Sequence, residues 1–173
     1  KHAFISAEDK NFYDHPGYDM RGIVAALVDA VQSRGKRIRG ASTITQQVMK
    51  NFLLDRSRRA ERKVKEIILA TRIENSLSKE QILELYLNEI FLGQNSYGVT
   101  AASQTYFNKT LNELAPNEAA FLAALPKAPS DYHPVREKNR LLDRRNYVLK
   151  EMFQNEYLSK DVYEDELTRP IRS

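Results

Sequence analysis

The chain has 173 residues, enough for one domain with a substantial hydrophobic core. It contains no cysteine, which excludes disulfides and thiolate metal sites. Its longest apolar run, AAFLAAL at 119–125, is far shorter than the roughly 20 residues that a membrane-spanning helix needs. We therefore expect any membrane anchor or export signal to lie outside these residues.

The net charge of +4 is unevenly distributed along the chain. Residues 1–66 hold 14 Lys and Arg against 8 Asp and Glu, whereas residues 67–173 hold 13 against 15. Most of the excess lies between Arg34 and Lys65. Such a basic band favours an anionic partner: nucleic acid, an anionic membrane surface or a phosphorylated ligand.

The first half of the chain predicts helices separated by short breaks. The first helix runs into His-Pro-Gly at 15–17, where proline and glycine end it. Asp19 can cap a second helix that carries IVAALVDAV. After a basic loop at 32–42, Ser42 or Thr43 can cap a third helix, and a fourth runs through RKVKEIILATRIE.

The second half also reads as helix. Ser78 and Gln81 have the form of a capping box, VTAASQTYF is a short helix, and Pro116 can occupy the first position of a helix that Pro126 ends. That helix is apolar nearly all round, which predicts a buried centre of the fold. PKAPSDYHP is a predicted loop. The last long helix has a predicted buried face made of Leu141, Leu142, Val148, Leu149, Met152 and Phe153. No segment alternates as a strand, so we predict a mostly α-helical single domain over residues 1–173.

Glu8 lies four residues after Phe4 and four before Phe12. On one helix these side chains would form a single stripe with a carboxylate in its middle. Partial desolvation between aromatic rings adapts a carboxyl group to general acid or base chemistry. Asp9 could orient Glu8, and His15 is a candidate partner. The alternative is that Glu8 pairs with a cation in an ordinary protein interior.

The stretch GASTITQQVMKN crowds hydroxyl groups and backbone N–H donors at a helix start. This arrangement is typical of an anion site, because the helix dipole and the unpaired donors point the same way. Thr43, Gln47 and Lys50 would share one face. The alternative is a capped helix with a solvated polar face.

The stretch RSRRAERKVKE places Arg58, Arg62 and Glu66 in one row at helical spacing, with Arg59 and Lys63 in a neighbouring row. A surface ladder of ion pairs is one interpretation. The other is a cationic wall for phosphate in which Glu66 holds the cations in place or binds a metal.

Two further classes of function are disfavoured. The basic band contains little aromatic surface for base stacking and no recognised nucleic-acid motif, which argues against a nucleic-acid partner. The three histidines have no metal-ligand spacing.

Taken in order, EDKNFYDHPG, GASTITQQVMKN, RKVKE, KEQILELYLN and AAFLAALPKAPS resemble the five successive motifs of the peptidoglycan glycosyltransferases. The resemblance extends over roughly residues 3 to 155. It implies a lysozyme-like helical fold with a smaller, mobile, membrane-facing lobe that includes the 32–40 loop. It also implies a reaction in which the 4-hydroxyl of lipid II attacks a growing glycan carried on polyprenyl pyrophosphate. The product is a β-1,4 bond formed with inversion.

The resemblance also assigns roles to residues. Glu8 matches the general base, Asp9 the acidic residue beside it, and Glu66 a second essential carboxylate that organises cations or a divalent metal. Phe12 and His15 match structural or orienting positions. The donor and pyrophosphate site is matched by Ser42, Thr43, Gln46, Gln47, Lys50, Asn51, Arg62, Lys63 and Lys65.

The implied partners are lipid II, the growing glycan strand, an anionic membrane surface and a transpeptidase domain elsewhere in the parent chain. Mg²⁺ or another divalent metal is the implied cofactor, with no organic cofactor. The implied location is the outer, periplasmic face of the bacterial cytoplasmic membrane. The rival interpretations are a lysozyme-like hydrolase or lytic transglycosylase acting on finished glycan, and a non-catalytic binding module.

Overall fold

The structure is a computed structural model that describes residues 1–34, 41–52, 59–127 and 137–171. The described residues contain no β-strand, only an isolated bridge between Phe91 and Tyr97, so the mostly α-helical prediction is confirmed. The predicted loops at 32–42 and 126–134 lie largely outside the described residues. In the described part of the chain the helices are α1 (His2–Glu8), α2 (Met20–Gln32), α3 (Ile44–Phe52), α4 (Arg59–Ser76), α5 (Lys79–Glu89), α6 (Val99–Phe107), α7 (Pro116–Ala124), α8 (Lys138–Gln154) and α9 (Lys160–Thr168).

The chain divides into two compact units, Lys1–Lys10 with Leu85–Ser173, and Asn11–Glu84. In the first unit α7 packs against α1, α6, α8 and α9, and residues 120–124 are all buried. The prediction that this helix is the buried centre is confirmed. Full burial of each large apolar side chain contributes about 1.5–3 kcal/mol, so this helix anchors the elements around it.

Two carboxylates satisfy the exposed N–H groups at the start of α7. Glu118 accepts from the backbone N–H of Ala115 at 2.9 Å, and Glu166 of α9 accepts from that of Asn117 at 2.8 Å. The α9 helix itself was not predicted. It begins where the Ser159 hydroxyl accepts from the N–H of Val162, and Arg145 of α8, which is fully buried, donates to the carbonyl of Arg169 just after it.

A tight turn after α5 requires glycine at position 98. The backbone of Gly98 has φ +85°, and a Cβ there would collide with the carbonyl oxygen of Asn88. The Gly98 N–H donates to the carbonyl of Ile90 at 2.7 Å, which closes the turn. The turn therefore sets the direction in which the chain enters α6.

The second unit is built on the packing of α3 against α4. The predicted caps are present here. Asp19 accepts from the N–H of Gly22 at 3.2 Å, and the Ser78 and Gln81 capping box forms in both directions. Burial would raise the pKa of Asp19, but hydrogen bonds from the Asn11 amide and the Gly22 N–H outweigh it and lower that pKa.

Helix α2 buries none of its side chains, although it carries several large apolar residues. Five of them are exposed: Met20, Val24, Leu27, Val28 and Val31. The exposed fraction reaches 62% at Leu27 and 78% at Val31. An apolar face of this kind in water calls for a partner.

The predicted first helix is too long. Helix α1 ends at Glu8, and the backbone of Asp9 is no longer helical, with φ −159° and ψ 73°. Phe12 therefore does not share a helical stripe with Phe4 and Glu8; that prediction is wrong. Phe12 is instead fully buried in the second unit, edge-on to the ring of His15. Burial of Phe12 outweighs the few tenths of a kcal/mol that separate most residues in helix propensity.

Candidate active site

Glu8 is the last residue of α1, on a helix whose residues 3–6 are buried. Its side chain is 16% exposed, and Oε1 lies 4.0 Å from Nη2 of Arg144 on α8. The same guanidinium reaches the carbonyl oxygen of Ala7 at 3.4 Å and lies over the ring of Tyr147. A negative charge at a helix C-terminus is unfavourable by itself, so the guanidinium offsets part of that cost.

Tyr86 of α5 adds a buried phenol to the surroundings of Glu8. Its hydroxyl makes no hydrogen bond within the described residues, and its ring lies edge-on to Phe4 with centroids 6.0 Å apart. Burial, followed by the charges of Glu8 and Asp9, raises the pKa of Tyr86 well above its usual value. Tyr86 is therefore a neutral hydroxyl with an unused hydrogen-bond donor at any physiological pH.

Asp9, Phe12 and His15 follow Glu8 along the chain. Asp9 is buried in the first unit, directly after the end of α1. His15 is buried in the second unit, where its Nδ1 accepts from the N–H of Gly17 at 3.1 Å. This hydrogen bond fixes the turn and the ring orientation, which suits the structural or orienting role implied for His15.

Thr43 begins α3 with a reciprocal cap. Its hydroxyl accepts from the Gln46 N–H at 3.0 Å, and the Gln46 side chain accepts from the Thr43 N–H at 2.8 Å. Thr43 also donates to the carbonyl of Gly17 at 2.8 Å. Both side chains are buried, whereas Lys50 and Asn51 are exposed and Gln47 is half-buried. Lys50 and Asn51 are therefore the residues of this set that can contact a ligand directly.

A polar chain joins the start of α3 to α4. The ammonium of Lys63 donates to the Ser42 hydroxyl and lies 3.7 Å from the buried carboxylate of Glu66. Arg62 is half-buried and Lys65 is exposed on the same helix. The predicted row through Arg58 includes a residue outside the described ranges. Glu66 thus holds a lysine at the position where the resemblance places pyrophosphate.

The two predicted essential carboxylates belong to different units, Glu8 to the first and Glu66 to the second. Each lies beside a cation on a helix of its own unit.

Comparison with known proteins shows the family to which the chain belongs. Residues 1–153 match the family model described as Transglycosylase. This chain belongs to the transglycosylase family.

Relatives of this transglycosylase chain are much longer. It is 52% identical over 171 residues to Penicillin-binding protein 1A of Rickettsia felis and 53% identical over 169 residues to that of Haemophilus influenzae. Each alignment covers 98% of this chain, but only 22% and 20% of the relatives. The crystal structure of Penicillin-binding protein 1A from Haemophilus influenzae matches with a TM-score of 0.52 and 41% identity, covering 74% of this chain and 16% of that one.

Sequence reasoning missed two residues that lie beside Glu8, Arg144 and Tyr86. A signal for Arg144 was available, because it lies three residues after Leu141 and four before Val148 on the predicted buried face of α8. A basic residue on an apolar face needs a buried partner. No such signal marked Tyr86, because a tyrosine on the apolar face of a helix is commonly an ordinary residue of the hydrophobic core.

The residues present fit a divalent metal only in part. No group of three or more His, Cys, Asp or Glu side chains able to hold a metal ion occurs within the described ranges. Glu66 supplies one buried carboxylate with Lys63 beside it. Mg²⁺ is commonly held by one or two carboxylates together with substrate phosphates, so Glu66 fits a metal that arrives with pyrophosphate.

Proposed function

We propose that this chain polymerises the glycan strands of peptidoglycan. The acceptor is lipid II, and the donor is a growing glycan on polyprenyl pyrophosphate. The observation that carries the proposal is the chain of Ser42, Lys63 and buried Glu66 in a member of the transglycosylase family. An enzyme that only hydrolyses neutral glycosidic bonds has no use for a cation held at a pyrophosphate position.

Glu8 is the proposed general base. It takes the proton from the acceptor 4-hydroxyl as that oxygen bonds to the anomeric carbon of the donor, on the face opposite the leaving group. The bond between the anomeric carbon and the pyrophosphate oxygen breaks, and its electron pair leaves with the pyrophosphate. General base catalysis of this kind is worth about 10²–10⁴-fold, or roughly 3–5 kcal/mol of activation free energy.

Arg144 and Tyr86 support the base in this proposal. The guanidinium keeps a favourable charge beside Glu8, and the neutral phenol of Tyr86 offers a donor inside the same apolar surroundings. Charged and polar groups that are fixed in a buried site interact strongly with the reacting groups, because little water competes for the same interactions.

The donor side is assigned to cations of the second unit. Lys63, Arg62, Lys65 and Lys50 would neutralise the charge that develops on the departing pyrophosphate. Glu66 orients Lys63 by the 3.7 Å ion pair. Mg²⁺, when bound with the substrate at Glu66, would supply further neutralisation of the same charge.

The membrane is the proposed place of work, because both substrates are lipid-linked. No helix within the described ranges is long and apolar enough to cross a bilayer. The exposed apolar face of α2 (Met20, Val24, Leu27, Val28 and Val31) suits contact with a membrane surface, and the basic residues that follow it in the sequence favour an anionic one. We propose that the chain acts on the periplasmic face of the cytoplasmic membrane, and that a membrane anchor and a transpeptidase domain lie elsewhere in the parent chain.

The product of a lipid II incubation tests the proposal against the rival hydrolase. The purified chain is incubated with labelled lipid II and Mg²⁺ in detergent and, separately, with finished glycan strands. We expect a ladder of polymer on a gel from the first and no shortening in the second. Shortened strands without a ladder would replace the proposal with a lysozyme-like hydrolase or lytic transglycosylase.

A further inference from the structure

A buried ion pair in the second unit lies outside the roles assigned above. Lys79 of α5 donates to Oε1 of Glu74 on α4 at 2.7 Å. The Glu74 side chain is 8% exposed and that of Lys79 is 20% exposed. Lys79 also lies 4.7 Å above the ring of Phe12. Both charges are thus withdrawn from water within the unit.

Each partner of this pair holds a different element. The same Oε1 of Glu74 accepts from the hydroxyl of Thr45, in the first turn of α3, at 2.7 Å. Lys79 donates to the carbonyl oxygen of His15 at 2.6 Å. One carboxylate oxygen and one ammonium therefore join the start of α3 to the 15–17 turn through α4 and α5.

The turn and the start of α3 also touch each other directly. Thr43 donates to the carbonyl of Gly17, and the turn lies so close to α4 that a Cβ at Gly17 would be 2.8 Å from the carbonyl oxygen of Ala70. Gly17 also has φ +111°, which an L side chain rarely adopts. The start of α3 thus donates two hydrogen bonds to neighbouring elements, to Glu74 and to the Gly17 carbonyl, and Lys79 links Glu74 to the turn.

Stability alone is a weak reason for such a pair. Replacing a buried ion pair by apolar side chains of similar volume is often neutral or stabilising, because desolvation offsets the attraction between the charges. What apolar side chains cannot supply is direction, since they would leave the Thr45 hydroxyl and the His15 carbonyl without these partners. Compared with apolar side chains, the ion pair therefore adds fixed positions for the start of α3 and for the 15–17 turn.

We propose that Glu74 and Lys79 are positioning residues for the donor site. They fix the first turn of α3, which carries Thr43 and leads to Lys50, against the turn that contains His15. This inference rests on the proposed function, because it assigns these two residues to the binding of the pyrophosphate-linked donor. A displacement of about 1 Å in a binding element can cost on the order of 100-fold in rate.

Two pairs of variants test the inference, each with a conservative partner. Thr45→Val removes the hydroxyl that reaches Glu74, whereas Thr45→Ser keeps it. Lys79→Met removes the ammonium, whereas Lys79→Arg keeps a donor and a charge. Initial rates of lipid II polymerisation are measured at a temperature well below the melting temperature of every variant. We expect Thr45→Val and Lys79→Met to raise KM by about 10-fold or more with a smaller change in kcat, and the conservative variants to restore most of the affinity.

A matched ion pair in the first unit provides the control. Lys109 and Glu118 lie 2.9 Å apart, and the Glu118 side chain is 13% exposed. Glu118→Gln should lower the melting temperature and leave KM unchanged. If it raises KM as much as Lys79→Met for an equal loss of melting temperature, or if Thr45→Val leaves KM unchanged, the positioning role is wrong. If the unsubstituted chain makes no polymer, the proposed function itself fails, which is a different result.

Discussion

At the scale of single residues, Tyr86 makes a prediction about alkaline stability. Its pKa is raised well above 10 in the folded chain by burial and then by Glu8 and Asp9, whereas in the unfolded chain it ionises near 10. Above pH 10 the unfolded state loses a proton that the folded state retains, so the free energy of unfolding falls as pH rises, by up to about 1.4 kcal/mol per pH unit. We expect Tyr86→Phe to flatten this decline in melting temperature measured from pH 9 to 11.

Tyr106 provides a comparison with Tyr86 at neutral pH. Burial raises its pKa to about 12, and its hydroxyl donates to the carbonyl of Leu92 at 2.7 Å. Tyr106→Phe should cost about 1 kcal/mol at pH 7 through the lost hydrogen bond, whereas Tyr86→Phe should cost none. Equal losses at pH 7 would show that the Tyr86 hydroxyl has a partner after all.

The site residues differ in how far the sequence could predict them. Glu8 was singled out because it lies between Phe4 and Phe12 in a stretch that resembles a known motif, although the predicted helical stripe with Phe12 is wrong. The spacing of Arg144 on the buried face of α8 could have marked it as a residue in need of a partner, but its contact with Glu8 depends on the fold, because the two residues are far apart in sequence. The burial of Gln46 in a cap was partly readable, since Thr43 and Gln46 have the spacing of a capping box.

At the scale of elements, the caps of α3 and α9 make a paired prediction. Ser159→Ala removes a side-chain cap and should cost about 1 kcal/mol of stability. Thr43→Ala removes a cap and also the hydrogen bond to the Gly17 carbonyl, so it should cost about 2 kcal/mol. Only Thr43→Ala should also weaken binding of lipid II, because α3 leads to the proposed donor site. Denaturant unfolding and equilibrium binding in detergent measure the two effects. An equal loss of binding in both variants would mean that stability alone controls affinity.

Helices were predictable where a local signal marks their ends. The starts of α2, α5 and α7 carry Asp19, Ser78 and Pro116, which act within a few residues of themselves. The end of α1 was misjudged, because the burial of Phe12 in a different unit decides it and no local pattern shows that. Helix α9 was missed although Ser159 caps its start locally. The contacts of Arg145 and Glu166 that secure it are distant in sequence.

At the scale of the whole molecule, the apolar face of α2 makes a prediction about membranes. Leu27→Asp with Val31→Asp removes two of its most exposed apolar side chains. Burying such a side chain contributes about 1.5–3 kcal/mol, so we expect at least about a 10-fold loss of binding to vesicles that contain anionic phospholipid. Sedimentation with vesicles measures it. Val162→Asp, at an exposed apolar position of α9, is the control, and equal binding by all three proteins would exclude α2 as the contact.

The resemblance implied a second, smaller lobe, but the sequence did not show where the two units divide. Composition and helical spacing gave a mostly α-helical chain, and residues 1–173 were taken as a single domain. The boundary near residue 84 falls inside the continuous helix α5, where no loop or change of composition marks it. Such a division depends on which helices pack together, and only tertiary contacts decide that.

The assignment of Glu8 as the base of a glycan polymerase is tested most directly by one substitution. Glu8→Gln keeps the size of the side chain but removes its basicity, and Glu89→Gln, at an exposed position of α5, serves as the control. With labelled lipid II, we expect Glu89→Gln to give the same glycan ladder as the unsubstituted chain. Glu8→Gln should lose about 100-fold or more of the rate while still binding lipid II. A Glu8→Gln protein that retained more than about a tenth of the rate would contradict the assignment, because general base catalysis is worth at least about 100-fold.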